Sequence, residues 1–160
     1  MLKTYEDILS ETDIDFILNL SEVKKAKEDI DKKVEGSIYF SIKLLPETQQ
    51  ILFEKFGLNL SNVPMRWIKG DTKRHIDHGE STFDNTYLVY LIDNEGKFLI
   101  DNIAYPIQKN IAYVFSEGLR HETLNTGYTH RLLLGPMSEE GFSVGIIQNT
   151  ITENGTSANE

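Results

Sequence analysis

Thr86-Tyr87-Leu88-Val89-Tyr90-Leu91-Ile92-Asp93-Asn94-Glu95-Gly96-Lys97-Phe98-Leu99-Ile100 is the stretch whose reading settles the fold. A short aromatic and β-branched run, a cluster of turn formers and a second short apolar run are what two neighbouring strands require. The same punctuation recurs on either side, at Gly70-Asp71, Lys109-Asn110, Asn125-Thr126-Gly127 and Gly135-Pro136. Short strands between such signals, from Val63 onward, predict an antiparallel sandwich or barrel.

The first third of the chain reads differently. Phe16, Leu20, Val23, Ala26, Ile30 and Val34 recur at steps of three and four among Lys and Glu, which predicts one or two amphipathic helices over residues 12 to 34. Thr12 or Ser21 is the expected cap. Residues 37 to 44 alternate, with Ile38, Phe40, Ile42 and Leu44 on one face, and predict a half-buried strand. Pro46 and Gly57 bracket a further helix. The expected organisation is one domain over residues 1–150, with helical support in 1–60 and a β core in 61–150. The polar residues 151–160 are expected to form a disordered tail.

Composition narrows the chemistry. A chain of 160 residues suits a single core. A formal net charge of −9 argues against phosphate backbones and anionic membranes as general partners. Lys69, Lys73 and Arg74 form one basic cluster, which reads either as a local patch or as a solvated strand edge that discourages pairing. The chain has no cysteine, so His, Asp and Glu are the strong metal ligands it can offer. Neither a long apolar run nor a basic-then-apolar leader is seen, so an intracellular, cytoplasmic setting is the default expectation.

His75-Ile76-Asp77 stands at the head of the β-rich region. In an extended segment His75 and Asp77 share a face, so an imidazole and a carboxylate converge. A second imidazole from another strand would complete two histidines and one carboxylate with open positions, the arrangement of non-haem Fe(II) oxygenases. His121 is the candidate. Arg131 follows it at a distance that a hairpin would fold back. An arginine in the apolar run Leu132 to Leu134 is costly to bury unless paired, and its planar fork suits a carboxylate.

With these pieces in order, residues from about 66 to 135 resemble the Fe(II)/2-oxoglutarate-dependent dioxygenase superfamily, most closely its prolyl 4-hydroxylase-like branch. The resemblance runs through His75-Ile76-Asp77, the strand ending Tyr90-Leu91, the Gly96-led strand, Tyr105-Pro106, Ala112-Tyr113-Val114-Phe115, His121 and Gly127 to Arg131. It covers a little under half the chain, and the order of the pieces is more specific than any one of them. It implies a mainly β (α+β) fold: a double-stranded β-helix, the jelly-roll or cupin-like architecture, with bracing N-terminal helices. It further implies Fe(II) held by His75, Asp77 and His121, with 2-oxoglutarate as cosubstrate. The remote carboxylate of the cosubstrate would fall to Arg131 and Tyr90. The activity implied is O2-dependent hydroxylation of an unactivated C–H bond on a peptide, amino-acid or other small-molecule substrate.

Rival assignments stay open for several residues. Tyr90 is equally a core aromatic, and Trp67 belongs either to the cosubstrate pocket or to ordinary packing. His130 adjoins Arg131 on one strand, so the two face opposite ways. His78 likewise opposes the ligand pair. At the level of the whole chain, a cupin-type metal or small-ligand binding protein is the alternative, since Gly118-Leu119-Arg120-His121 with Asn125 echoes part of a cupin motif. A structural jelly roll with coincidental histidines is the other.

Overall fold

The computed structural model describes residues 2–73, 75–76, 85–116, 119–127 and 129–139, with the backbone alone at 75 and 76. Asp77, His78 and the tail therefore lie outside the described residues. Six strands form one sheet in the order β1-β8-β5-β10-β3-β2: β1 (Leu2–Glu6), β8 (Ile111–Ser116), β5 (Asn85–Tyr90), β10 (His130–Ser138), β3 (Asn62–Lys69) and β2 (Gly36–Lys43). A four-stranded sheet has the order β4-β9-β6-β7: β4 (His75–Ile76), β9 (Arg120–Leu124), β6 (Asn94–Ile100) and β7 (Ile103–Ile107). Every pairing between them is antiparallel.

The strands of the larger sheet are apolar on both faces, and the structure gives each face its own core. Val63, Met65, Trp67, Val89, Leu91, Ala112, Val114, Leu132 and Leu134 turn outward against three helices. Those helices are α1 (Glu11–Leu18), α2 (Ser21–Asp31) and α3 (Pro46–Phe56). Ile68, Leu88, Tyr90, Tyr113, Phe115 and Leu133 turn inward and meet Phe98, Ile100 and Ile107 of the smaller sheet. Because side chains alternate along a strand, each residue's parity decides which core it enters.

The helical reading needs two corrections. The segment forms two helices, within the expectation, but Phe16 is 38% exposed and Val34 81%, while Ile14 and Ile17 are buried instead. The cap of α1 is Ser10, whose hydroxyl accepts from the Asp13 N–H at 3.0 Å; neither Thr12 nor Ser21 serves. The first sixty residues also supply both edges of the larger sheet: β2, where the alternation over 37–44 predicts a strand, and β1, which no sequence pattern announces. At α3 the expectation holds: Pro46 opens the helix and Gly57 ends it in the left-handed conformation.

Gly135-Pro136 is not a turn. It lies within β10, where the register against β5 shifts between Leu134 and Met137. A proline is tolerated at such a bulge because no ladder hydrogen bond is asked of it there. Lys109-Asn110 is a turn, and Asn110 does more than reverse the chain. Its buried side-chain amide donates to the Leu9 carbonyl and accepts from the Leu9 N–H, at 2.7 and 2.9 Å, fixing the segment before α1 to the sheet.

Gly96 is required by contact rather than by dihedral freedom. A Cβ there would stand 2.7 Å from the Leu124 carbonyl oxygen and 2.8 Å from the Thr126 Cα, both backbone atoms. Gly96→Ala should therefore cost about 1–3 kcal/mol, since the neighbouring strand has to move. Urea unfolding measures this; an unchanged midpoint would remove the close approach from the account.

Candidate functional site

The site is built where the two sheets face one another at the β3–β4 end. β4 pairs with β9 so that His75 stands directly opposite His121, which puts the two positions side by side on one sheet, about 4.5–5.5 Å apart at Cα. His121 is 1% exposed and its ring packs against Phe115 and Phe98, with centroids 4.9 and 6.0 Å away. Its Nδ1 lies 3.1 Å from the Leu119 carbonyl oxygen. The tautomer that donates this hydrogen bond keeps the lone pair on Nε2, which is the form that ligates metals.

Arg131 is fully buried on the inward face of β10. Its Nη1 donates to the Gly70 carbonyl at 2.7 Å, and its Nη2 donates to the hydroxyls of Thr72 and Thr123, the latter at 2.8 Å. Thr123 is two residues along β9 from His121, so both project from one face of the strand. Thr72 and Thr123 are themselves zipped together: the Thr72 N–H donates to the Thr123 hydroxyl at 2.7 Å and the Thr123 N–H to the Thr72 carbonyl at 3.1 Å. The segment leading from β3 toward β4 is thereby fastened to β9 and to Arg131 at once.

Tyr90, 1% exposed, faces the same interior, with its ring 6.0 Å from Phe98 and 6.2 Å from Tyr113. It stands opposite Leu133 in the β5–β10 register, one pleat repeat from Arg131. His121, Arg131 and Tyr90 are thus brought to one space. Trp67 is not. It turns outward into the helical core, where its Nε1 donates to the Val23 carbonyl at 3.0 Å, so packing accounts for it and the cosubstrate pocket does not. The parity of β3 decides this, since Ile68 takes the inward position. His130 also faces outward, as its adjacency to Arg131 requires, with its Nε2 2.6 Å from Asp31 and its ring edge-on to Trp67.

Of the basic cluster, Lys69 donates to the Lys33 carbonyl at 2.8 Å and ties β3 to the end of α2. Among the described residues no group of three metal-ligating side chains gathers, and Asp77 lies outside them. The donor set that is described, a buried imidazole opposite a second histidine position, fits a divalent transition metal better than a hard cation such as Ca2+, which favours oxygen ligands.

Thr72, Thr123 and Asp71 carry no sequence signal strong enough to single them out, yet they shape the site. Burial pushes the Asp71 carboxyl up. Hydrogen bonds from the N–H and hydroxyl of Thr126 and the N–H of Asn125, with the charge of Arg131 nearby, outweigh it and hold the group below its ordinary value. A depressed carboxyl contributes stability above its unfolded value, near 3.9, and loses that contribution as pH falls through the folded value. Asp71→Asn should remove this part of the acid dependence. Thermal unfolding at about pH 6 and pH 3 reads it, and an unchanged difference between wild type and variant would refute it.

Comparison with solved structures places the fold. A Pseudomonas putida prolyl-4-hydroxylase superposes with a TM-score of 0.55 at 13% identity, covering 82% of this chain and 88% of that one. An oxidoreductase of the 2OG-Fe(II) oxygenase family from Burkholderia pseudomallei gives 0.53 at 9% identity, covering 82% and 81%. The non-heme alpha ketoglutarate dependent epimerase SnoN from nogalamycin biosynthesis gives 0.51 at 9% identity, covering 82% and 74%. The fold is the double-stranded β-helix. That double-stranded β-helix is mainly β with N-terminal bracing helices, as expected. No family model matches the chain, and no curated protein matches it by sequence. Among the described residues, no helix is long and apolar enough to cross a membrane.

Proposed function

We propose that the protein is a non-haem Fe(II)- and 2-oxoglutarate-dependent dioxygenase that hydroxylates an unactivated C–H bond on a peptidyl, prolyl-like, or amino-acid side chain. The observation that carries this reading is the His75–His121 register, with Arg131 joined to Thr123 two residues further along the same strand. His75, Asp77 and His121 would hold the ferrous ion. With the cosubstrate and O2 bound, that ion supplies the oxidising power for C–H hydroxylation while 2-oxoglutarate is converted to succinate and CO2.

The chain's own residues supply position and environment. Arg131 meets the remote carboxylate of the cosubstrate, and the hydroxyls of Thr72 and Thr123, which accept from the guanidinium, can turn their own protons to the same carboxylate. Tyr90 stands beside them. Phe98, Tyr113 and Phe115 form an apolar wall that excludes water, so the charges facing it act in a low effective dielectric.

A second reading is favoured by one specific observation. The hydrogen bonds of Arg131 to Gly70, Thr72 and Thr123 also describe a structural clamp between the sheets, as a cupin-type metal protein without cosubstrate would use. Anaerobic titration separates the two. The oxygenase should develop a visible charge-transfer band only when Fe(II) and 2-oxoglutarate are both added. A metal that binds with no response to 2-oxoglutarate would leave the clamp reading standing.

A further inference from the structure

Arg66 is a second arginine turned into the space between the sheets. It alternates with Met65 and Trp67, which face the helices, and shares the inward side of β3 with Ile68. The residue is 5% exposed. Its Nε is buried without a hydrogen-bond acceptor, and among the described residues no carboxylate pairs with it. Its guanidinium carbon lies 4.6 Å from the ring centroid of Tyr39, directly opposite on the edge strand β2. Tyr39 is half-buried, and Ser37 and Ser41 share its side of β2, with Ser41 exposed.

A guanidinium stays charged when desolvated, and a buried charge without an anion is costly. The Tyr39 ring offsets part of that cost, as cations over aromatic faces do. It leaves the in-plane N–H edge unpaired at Nε, the edge that takes a carboxylate in two parallel hydrogen bonds. Arg131 does not share this role. Its backbone stands opposite Ile68, two residues from Arg66, and its guanidinium bonds the Gly70 carbonyl just past the end of β3 and the hydroxyls of Thr72 and Thr123.

We infer that Arg66 and Tyr39 form a carboxylate-binding subsite at the β2 edge of the interior, and that its ligand is the substrate: a small organic acid with a free carboxylate. The inference rests on the oxygenase reading and deepens it, because Arg66 and Arg131 then hold two different carboxylates in one interior. An internal prolyl residue of a peptide brings no carboxylate of its own to this place. A free amino acid or another small acid does.

The arginines are Arg66, Arg74, Arg120 and Arg131, so the Nε–H resonances of arginine-labelled full-length protein can be assigned by substitution. N-acetylated amino acids are titrated with and without saturating 2-oxoglutarate, beside their carboxamides and a capped peptide whose carboxylates are all on side chains. The Arg66 resonance should shift saturably with the acids and with neither the amides nor the peptide. Arg66→Gln should weaken binding of those acids about tenfold or more and leave that of 2-oxoglutarate within about twofold. Arg66→Lys keeps the charge and tests whether loss of the fork alone weakens binding. The wild-type titration needs no variant to fold. No shift with any acid, an equal shift with the amides, or a shift with the peptide alone would overturn the inference. Failure of the oxygenase reading registers separately, as an Arg131 resonance that ignores 2-oxoglutarate.

Discussion

His121→Ala abolishes turnover and high-affinity Fe(II) binding while leaving a folded protein. The ring is buried against Phe98 and Phe115, and its Nδ1 is anchored at the Leu119 carbonyl, so the rest of the imidazole is held rigidly opposite position 75. On the proposed assignment its removal deletes one of the three metal ligands. Truncating a buried ring also leaves a cavity, which costs on the order of 2–5 kcal/mol, so circular dichroism and unfolding must accompany the assay. His121→Gln fills more of the space and should lose activity equally. Succinate formation by either folded variant at the wild-type rate would remove His121 from the site.

Arg131→Gln weakens 2-oxoglutarate binding by about one to two orders of magnitude. A hydrogen bond to a charged group contributes roughly 1.5–3 kcal/mol, and the Gln amide retains neither the charge nor the fork. The same change unfastens Gly70, Thr72 and Thr123 from β10, so the protein should also be less stable. Arg131→Lys distinguishes the two effects. It keeps a charge but cannot bond three separated acceptors in one plane, so a structural clamp alone would lose stability with 2-oxoglutarate affinity unchanged. The account expects both to fall, read by calorimetric titration of the folded protein and by urea unfolding.

The fold was legible because it is written in parity and punctuation. Tyr87, Val89 and Leu91 face one core while Leu88 and Tyr90 face the other, and the strands that carry such runs end at turn formers such as Asp93 and Asn110. The same parity sets His130 and Arg131 on opposite faces, and the structure turns Arg131 inward and His130 outward. Trp67 was not placed, because β3 carries apolar residues on both faces, Met65 and Trp67 outward and Ile68 inward, and such a strand does not advertise which side is which. Arg66 was missed for that reason.

The helical segment misled for a different reason. Phe16, Leu20 and Val23 fit one periodic stripe, but a break at Asn19 gives α1 and α2 separate axes, and Phe16 falls on the outer side. Of the site, the two histidines and Arg131 could be picked out because their side chains are rare and chemically distinctive. Thr72 and Thr123 could not. Their part depends on the register of the β3–β4 segment against β9, which joins residues distant in sequence.

The central claim is that positions 75, 77 and 121 share one metal ion. Histidine side-chain nitrogen NMR on protein loaded with Zn(II) in place of iron tests it directly, because the chain has only His75, His78, His121 and His130. The account predicts metal-induced nitrogen shifts at His75 and His121 alone, lost when Asp77 is replaced by Ala. Shifts at His78 or His130 in their place, or none at His121, would contradict it.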